Sequence, residues 1–287
     1  MLSVMSRSWF RGDEVLVAIG SVKGAPYVTS LAVALAVRWP TPGALVVEAD
    51  PAGGDLAFRF GARREPGLSE LAADTRAGRR GGDLAAYARP IPLGISVVFA
   101  PADQHHGPAI DAAGQATQAI RMVAHNCVDL LRAAAARRAV IVDLGRLGWD
   151  SPSWSLAAAA DVFLVAMRSG VEAVDAVQVR RDRLRSVPGL RSAPRLVVAG
   201  RPLCTEGEIA GVTGMAVVGT VPDDRRAADV LAGRAEPGWG WTRLPFLRAA
   251  RALAVSLQVH APHHVPAAVP SFVGPAGRPW QAPVYRP

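Results

Sequence analysis

Lysine is all but missing from this chain: of 32 basic residues only Lys23 is a lysine, and the others are arginine. A composition that otherwise excludes lysine makes the place of that one residue informative. Cysteine is scarce as well. Cys127 falls in a helical pattern and Cys204 in a loop, far apart and without metal-ligand spacing, which excludes a disulfide framework and points to two reduced thiols. His105-His106 has no cysteine or acidic pair near it at ligand spacing, so no metal centre is expected there. No uninterrupted apolar run reaches the roughly 20 residues that span a bilayer; Ser155 to Met167 is the longest candidate, and Asp161 interrupts it. Met1 to Asp13 contains Arg7 and Arg11 but no apolar stretch of the kind a secretory signal needs. A soluble, cytoplasmic protein is the expectation, with any membrane association peripheral and made through partners.

What the chain does contain is enough apolar material for a large core, since 50% of its 287 residues are hydrophobic. A net charge of +8 would suit nucleic acid or anionic lipid. Much of that excess, however, is arginine spread along an Ala-, Gly- and Pro-rich composition. Apolar runs of strand length recur at Val15–Ile19, Ala44–Val47, Ile95–Phe99, Ala139–Val142, Val162–Ala166, Leu196–Ala199 and Ala216–Val218, with helical patterns between them. Runs that are continuous rather than alternating indicate strands buried on both faces, and their alternation with helices indicates βαβ units. The expected fold is α/β: a doubly wound, mainly parallel sheet with its ligand site at the carboxyl ends of the strands.

Residues 14–259 carry this pattern, after an N-terminal extension at 1–13. Residues 260–287 hold seven prolines and the isolated aromatics Phe272, Trp280 and Tyr285, a composition that reads as a disordered or polyproline tail. Between Pro66 and Arg89 the glycines 67, 78, 81 and 82 predict short helices and a loop. Gln115 to Ala136 reads as one long helix with Ile120, Val123, Cys127, Leu130 and Leu131 on one face. Pro245 to Val259 reads as a final helix that covers the sheet with Phe246, Ala250, Leu253 and Leu257.

The chemistry-bearing stretches fall at strand ends. Gly20-Ser21-Val22-Lys23-Gly24-Ala25-Pro26-Tyr27-Val28-Thr29-Ser30 joins the first apolar run to Leu31–Ala36. A buried strand turning through a glycine-containing loop into a helix lets backbone amides and a helix N-terminus hold phosphate. The second strand ends in Glu48-Ala49-Asp50-Pro51-Ala52-Gly53-Gly54-Asp55, whose carboxylates suit magnesium beside a phosphate; alternatively Asp50-Pro51 starts a turn and Asp55 caps a helix. Arg137 to Gly145 is an apolar strand ending in an acid, Asp143, which either orders a metal or merely starts a turn. Arg180, Arg181, Arg183, Arg185 and Arg191 lie on and just beyond one helix, as a solvated face or as a patch for DNA or an acidic partner, without aromatic interleaving.

In this order the motifs resemble those of the MinD/ParA family of P-loop ATPases, over roughly Glu14 to Leu257. Against the family's K-G-G-x-G-K-[ST], Lys23 matches the signature lysine and Thr29 the magnesium-binding hydroxyl. Ala25 and Tyr27 replace glycines, and Val28 replaces the P-loop lysine. Asp50 matches the switch I carboxylate and Asp143 the Walker B aspartate. Gly200 stands where the family has an adenine-contacting asparagine, and Val217 to Asp224 matches a strand-Pro-Asp turn near the base. The chain looks similar to a divergent actinobacterial MinD-like branch that resembles the CpaE/TadZ group.

The resemblance implies ATP and Mg2+ as ligands. Gly20, Lys23, Gly24, Thr29, Ser30, Pro222 and Asp223 would contact nucleotide; Thr29, Asp50 and Asp143 would order the metal; Lys23 and Asp50 are the catalytic candidates. It further implies a homodimer and a partner such as a CpaF-type secretion ATPase. The amphipathic membrane helix that ends MinD proteins is an alternative reading of Pro245–Val259. On the family's loop backbone Tyr27 would need φ > 0, at about 1–2 kcal/mol for a non-glycine residue, and its ring would crowd the phosphate cradle. With a cation missing at Val28, the expected enzyme is a weak or inactive ATPase. Three functional readings follow: a degenerate scaffold that positions secretion, pilus or partition machinery; an active ATP-driven switch; and a non-specific DNA-binding protein.

Overall fold

The computed structural model describes residues 15–24, 27–79, 82–101 and 112–260. The N-terminal extension, Ala25-Pro26, His105-His106 and the Pro-rich tail beyond His260 lie outside the described residues.

The elements follow in chain order as β1 (Leu16–Ser21), α1 (Val28–Arg38), β2 (Leu45–Glu48), α2 (Leu56–Arg59), α3 (Leu68–Arg76), β3 (Arg89–Pro90) and β4 (Ser96–Val98). Then come α4 (Ala112–Asn126), α5 (Val128–Ala135), β5 (Val140–Arg146), α6 (Trp154–Ala159), β6 (Val162–Arg168) and α7 (Val171–Arg185). The described chain closes with β7 (Arg195–Ala199), α8 (Glu206–Thr213), β8 (Val217–Val221), α9 (Arg225–Leu231) and α10 (Pro245–His260). Each of the seven apolar runs is a strand. The eight-stranded sheet has the order β3-β4-β2-β5-β1-β6-β7-β8 and is parallel except for the short β3, which pairs antiparallel with β4.

β1 sits between β5 and β6 and is buried along its whole length, which is why Leu16-Val17-Ala18-Ile19 is apolar without alternation. Its odd and even residues feed two different cores. Val17 and Ile19 face α1, α9 and α10; Leu16 and Ala18 face the layer that includes α3 to α8. Leu31 and Leu35 of α1 are fully buried in the first of these cores, each stabilising the docked helix by roughly 1.5–3 kcal/mol. α10 packs beside α1 with Phe246, Ala250, Leu253 and Leu257 buried, as its apolar face predicts. Among the described residues no helix is long and apolar enough to cross a membrane.

The helix predicted over Gln115–Ala136 is two helices. The chain bends at Cys127 (φ −116°, ψ 7°), at the end of His125-Asn126-Cys127, a run of poor helix formers. The bend brings the Cys127 sulfur to 2.9 Å from the Thr75 hydroxyl of α3.

Candidate functional site

At the carboxyl ends of β1, β2 and β5 the structure forms a cavity of about 280 Å³. Ser21, Gly24, Val28, Thr29, Ser30, Glu48, Asp50, Asp55, Asp143 and Arg146 are among the residues that line it. α1 begins at its edge. Tyr27, the N-cap residue, makes no side-chain capping bond, so the first amides of an eleven-residue helix are left for another partner. Leu31 N–H closes the first helical turn on the Tyr27 carbonyl.

Acids dominate the opposite wall. Asp143 ends the apolar part of β5 and is almost fully buried; it accepts a hydrogen bond from Gly145 N–H at 3.0 Å, and the Thr29 hydroxyl beside it favours its charged form. Burial pushes its carboxyl up to about 6, against those two influences and with Asp50 and Asp55 adding repulsion. Asp50 is also raised, first by burial, and folds back to accept from Ala52 N–H at 2.9 Å. Glu48 points inward as a brace. Its two oxygens accept from Leu56 N–H (2.9 Å) and Ala100 N–H (3.2 Å), tying β2 to the loop before α2 and to the end of β4. Burial raises it to about 8.

Several sequence candidates therefore converge: Gly24, Thr29, Ser30, Asp50 and Asp143 share one cavity. Others do not. Gly20 is buried below the loop, where an added Cβ would meet Leu147 at 2.6 Å, so its role is close packing. The single lysine lies away from the cavity wall, with Lys23 Nζ donating to the Glu172 carbonyl at 3.2 Å. Asp55 heads α2 without a capping hydrogen bond and instead pairs with Arg59 at 2.6 Å. The two arginines on the wall, Arg59 and Arg146, and the brace role of Glu48 were not legible in the motifs.

Pro222 and Asp223 are not among the residues that line that cavity, and Asp223 belongs to a neighbouring cluster built around Tyr27. Tyr27 has φ −118° and ψ −2°, so it occupies ordinary right-handed backbone and the expected positive-φ strain is absent. Its ring does not enter the cavity wall. It stacks on Phe246 (centroids 6.1 Å apart), takes the Arg168 guanidinium over one face at 5.3 Å, and donates its hydroxyl to Asp223. Gly200 borders the same cluster, with a built Cβ 3.2 Å from an Asp223 oxygen. Tyr27→Phe is expected to cost about 0.5–1.5 kcal/mol in urea unfolding, the net worth of one hydrogen bond. An unchanged midpoint would show that the hydroxyl does not hold the loop to the β8 turn.

The arginines of α7 are drawn into contacts within the chain. Arg180 and Arg183 stack on Trp149, at 5.4 and 4.1 Å, Arg185 donates to the Gly214 carbonyl, and Arg181 pairs with Asp182 at 3.1 Å.

No protein-family model matches the sequence, and no curated protein matches it. Solved structures do match the fold. A ParA family ATPase from Chlorobium tepidum is 14% identical with a TM-score of 0.63, covering 85% of this chain and 98% of that one. The septum site-determining protein MinD complexed with Mg-ADP, from Pyrococcus horikoshii, is 12% identical with a TM-score of 0.60, covering 85% and 95%. An ATP complex of a Cyanothece McdA variant is 16% identical with a TM-score of 0.59, covering 85% and 97%. The chain thus has the P-loop NTPase fold of the MinD/ParA type.

Proposed function

We propose that this protein is a MinD/ParA-like nucleotide-binding scaffold: it holds a nucleoside triphosphate with magnesium, hydrolyses it weakly or not at all, and positions a partner assembly. The observation that carries this reading is the convergence of Thr29, at the start of α1, with Asp50 and Asp143 on the wall of one cavity. A hydroxyl and two carboxylates are hard oxygen donors suited to Mg2+. Among the described residues no three His, Cys, Asp or Glu side chains converge to hold a metal unaided. That fits Mg2+, which is usually held by one or two carboxylates together with substrate phosphates. Thr29, Asp50 and Asp143 would hold the ion, while the α1 amides and Gly24 would receive the phosphates. When bound, the ion supplies neutralisation of phosphate charge.

Weak hydrolysis follows from Val28, which offers no charge, and from Lys23, whose ammonium is turned to Glu172. The partner would be a secretion, pilus or partition component, with a CpaF-type ATPase as the first candidate, and the nucleotide state would set assembly of a homodimer. The active-switch reading keeps the same ligands and differs in turnover. The DNA-binding reading rests only on the arginine excess.

Calorimetric titration of ATP with magnesium tests the proposal. Wild type is expected to bind, Thr29→Ala and Asp143→Asn to lose about tenfold or more in affinity, and phosphate release to remain near background. No binding by wild type would overturn it; rapid turnover would replace the scaffold with the switch. Salt-sensitive duplex DNA binding, lost on replacing Arg180, Arg181, Arg183 and Arg185 with alanine, would favour the third reading.

A further inference from the structure

A bulge in β5 decides which residues reach the cavity. β1 and β5 run in register from Leu16↔Val140 to Ile19↔Asp143, and the next pairing is Ser21↔Arg146 rather than Ser21↔Gly145. One extra residue has been admitted at Leu144-Gly145. Because side chains alternate with period two, a single inserted residue moves every later side chain to the opposite face. In register, Arg146 would follow Val142 and Leu144 toward the α3–α8 layer. With the bulge it follows Asp143 instead, toward α1 and the cavity, on the same side as Ser21.

The bulge is built into the sequence at Gly145. Its φ is +57°, and a Cβ there would lie 1.9 Å from an Asp50 carboxylate oxygen, so only glycine fits. The residue that opens the bulge is therefore also the one over which Asp50 closes.

Charge supplies the second half of the argument. Glu48, Asp50, Asp55 and Asp143 line the cavity, and among the described residues its cationic side chains are Arg59 and Arg146. Arg59 is held by Asp55 at 2.6 Å. Lys23 is turned away to Glu172, and Val28 is apolar. The Arg146 side chain makes no hydrogen bond or ion pair among the described residues and is exposed at the cavity mouth. A phosphate chain entering this acidic site needs a cation, and Arg146 is the one not already committed.

We propose that Arg146, turned into the site by the Gly145 bulge, is the phosphate-neutralising residue of this chain, supplying from β5 the charge that Val28 does not supply from the loop. Its guanidinium presents several donors in one plane, suited to two phosphate oxygens at once. The proposal rests on the nucleotide reading above and assigns the role of one residue within it.

The test is equilibrium binding of ATP·Mg, ADP·Mg, inorganic pyrophosphate with Mg2+, and adenosine to the full chain, wild type and variants. Arg146→Ala is expected to weaken ATP and pyrophosphate by about tenfold or more and to leave any adenosine binding unchanged. Arg146→Lys should recover part of that loss, because it keeps the charge and gives up the planar fork. Arg59→Ala serves as the comparison and should lose less. Arg146 is exposed, and a thermal melt of the alanine variant is expected to match wild type. If wild type binds ATP and Arg146→Ala binds it equally well, the proposal fails while the nucleotide reading stands. The same holds if Arg59→Ala carries the loss. If wild type binds neither ATP nor pyrophosphate, both readings fall together.

Discussion

Gly145→Ala is expected to destabilise the protein by about 2–5 kcal/mol, because a left-handed non-glycine residue costs roughly 1–2 kcal/mol and overpacking adds roughly 1–3. The second contribution is specific to the site. The new methyl would lie 1.9 Å from an Asp50 oxygen, so either Asp50 leaves the cavity wall or the β5 bulge opens. Gly61→Ala gives an internal comparison, since Gly61 has the same φ of +57° and nothing within 4 Å of its built Cβ. Urea unfolding of the two variants separates backbone strain, common to both, from the clash that only Gly145 has. Equal losses would show that Asp50 is not packed against Gly145 in solution.

The second large effect is a dependence of stability on pH. In magnesium-free protein Glu48 is raised to about 8, by burial first, while hydrogen bonds from Leu56 and Ala100 oppose the shift and Asp143 adds to it. Asp143 is raised to about 6 by burial. An unfolded chain loses these protons near pH 4. Between those limits the folded state binds more protons than the unfolded state, so stability falls as pH rises from about 4 through about 8 and levels off above. The loss is on the order of a few kcal/mol, with the Glu48 part spread over the whole window and the Asp143 part complete by about pH 6. Glu48→Gln should flatten the curve between pH 6 and 8 and reduce the slope below pH 6 to the Asp143 share alone. Thermal midpoints in EDTA across pH 5–9 measure both curves, and a wild-type midpoint that stays level from pH 5 to 8 would sink the assignment.

Physically, Glu48 carries this penalty because it ties three segments together at the floor of the cavity. Gly54 approaches so closely that an added Cβ would lie 2.4 Å from a Glu48 oxygen. The brace holds the Asp50–Asp55 loop against β4, and so fixes where the Asp50 carboxylate stands relative to Thr29 and Asp143. From the sequence, Glu48 counts among the strand-end carboxylates that suit magnesium beside a phosphate. The structure makes it a structural acid whose oxygens are spent on backbone amides.

Local pattern was sufficient for the sheet. Val15–Ile19, Ala139–Val142 and Val162–Ala166 are strands because uninterrupted apolar runs of that length are stable only when both faces are covered, and helices between them force parallel crossovers. The same logic put Thr29, Asp50 and Asp143 at strand ends or helix starts on one side of the sheet, where the cavity lies. It did not foresee that Gln115–Ala136 would bend at Cys127, since side-chain periodicity continues through the bend and the short run of poor helix formers His125-Asn126-Cys127 is a weak signal beside it.

The sequence by itself determined the α/β architecture, the strands of the central sheet and the loop-to-helix context that follows β1, because those depend on apolar periodicity and on residues adjacent in the chain. Tertiary structure alone decided that Lys23 turns to Glu172, that Tyr27 reaches Asp223 and Phe246, and that Arg146 faces the cavity. Each of those outcomes hangs on partners between 149 and 219 positions away or, for Arg146, on a one-residue shift between two strands. A period-two pattern cannot report such a shift, since Leu144-Gly145-Arg146 reads the same whether β5 runs straight or bulges, and only the neighbouring strand fixes which face the arginine takes.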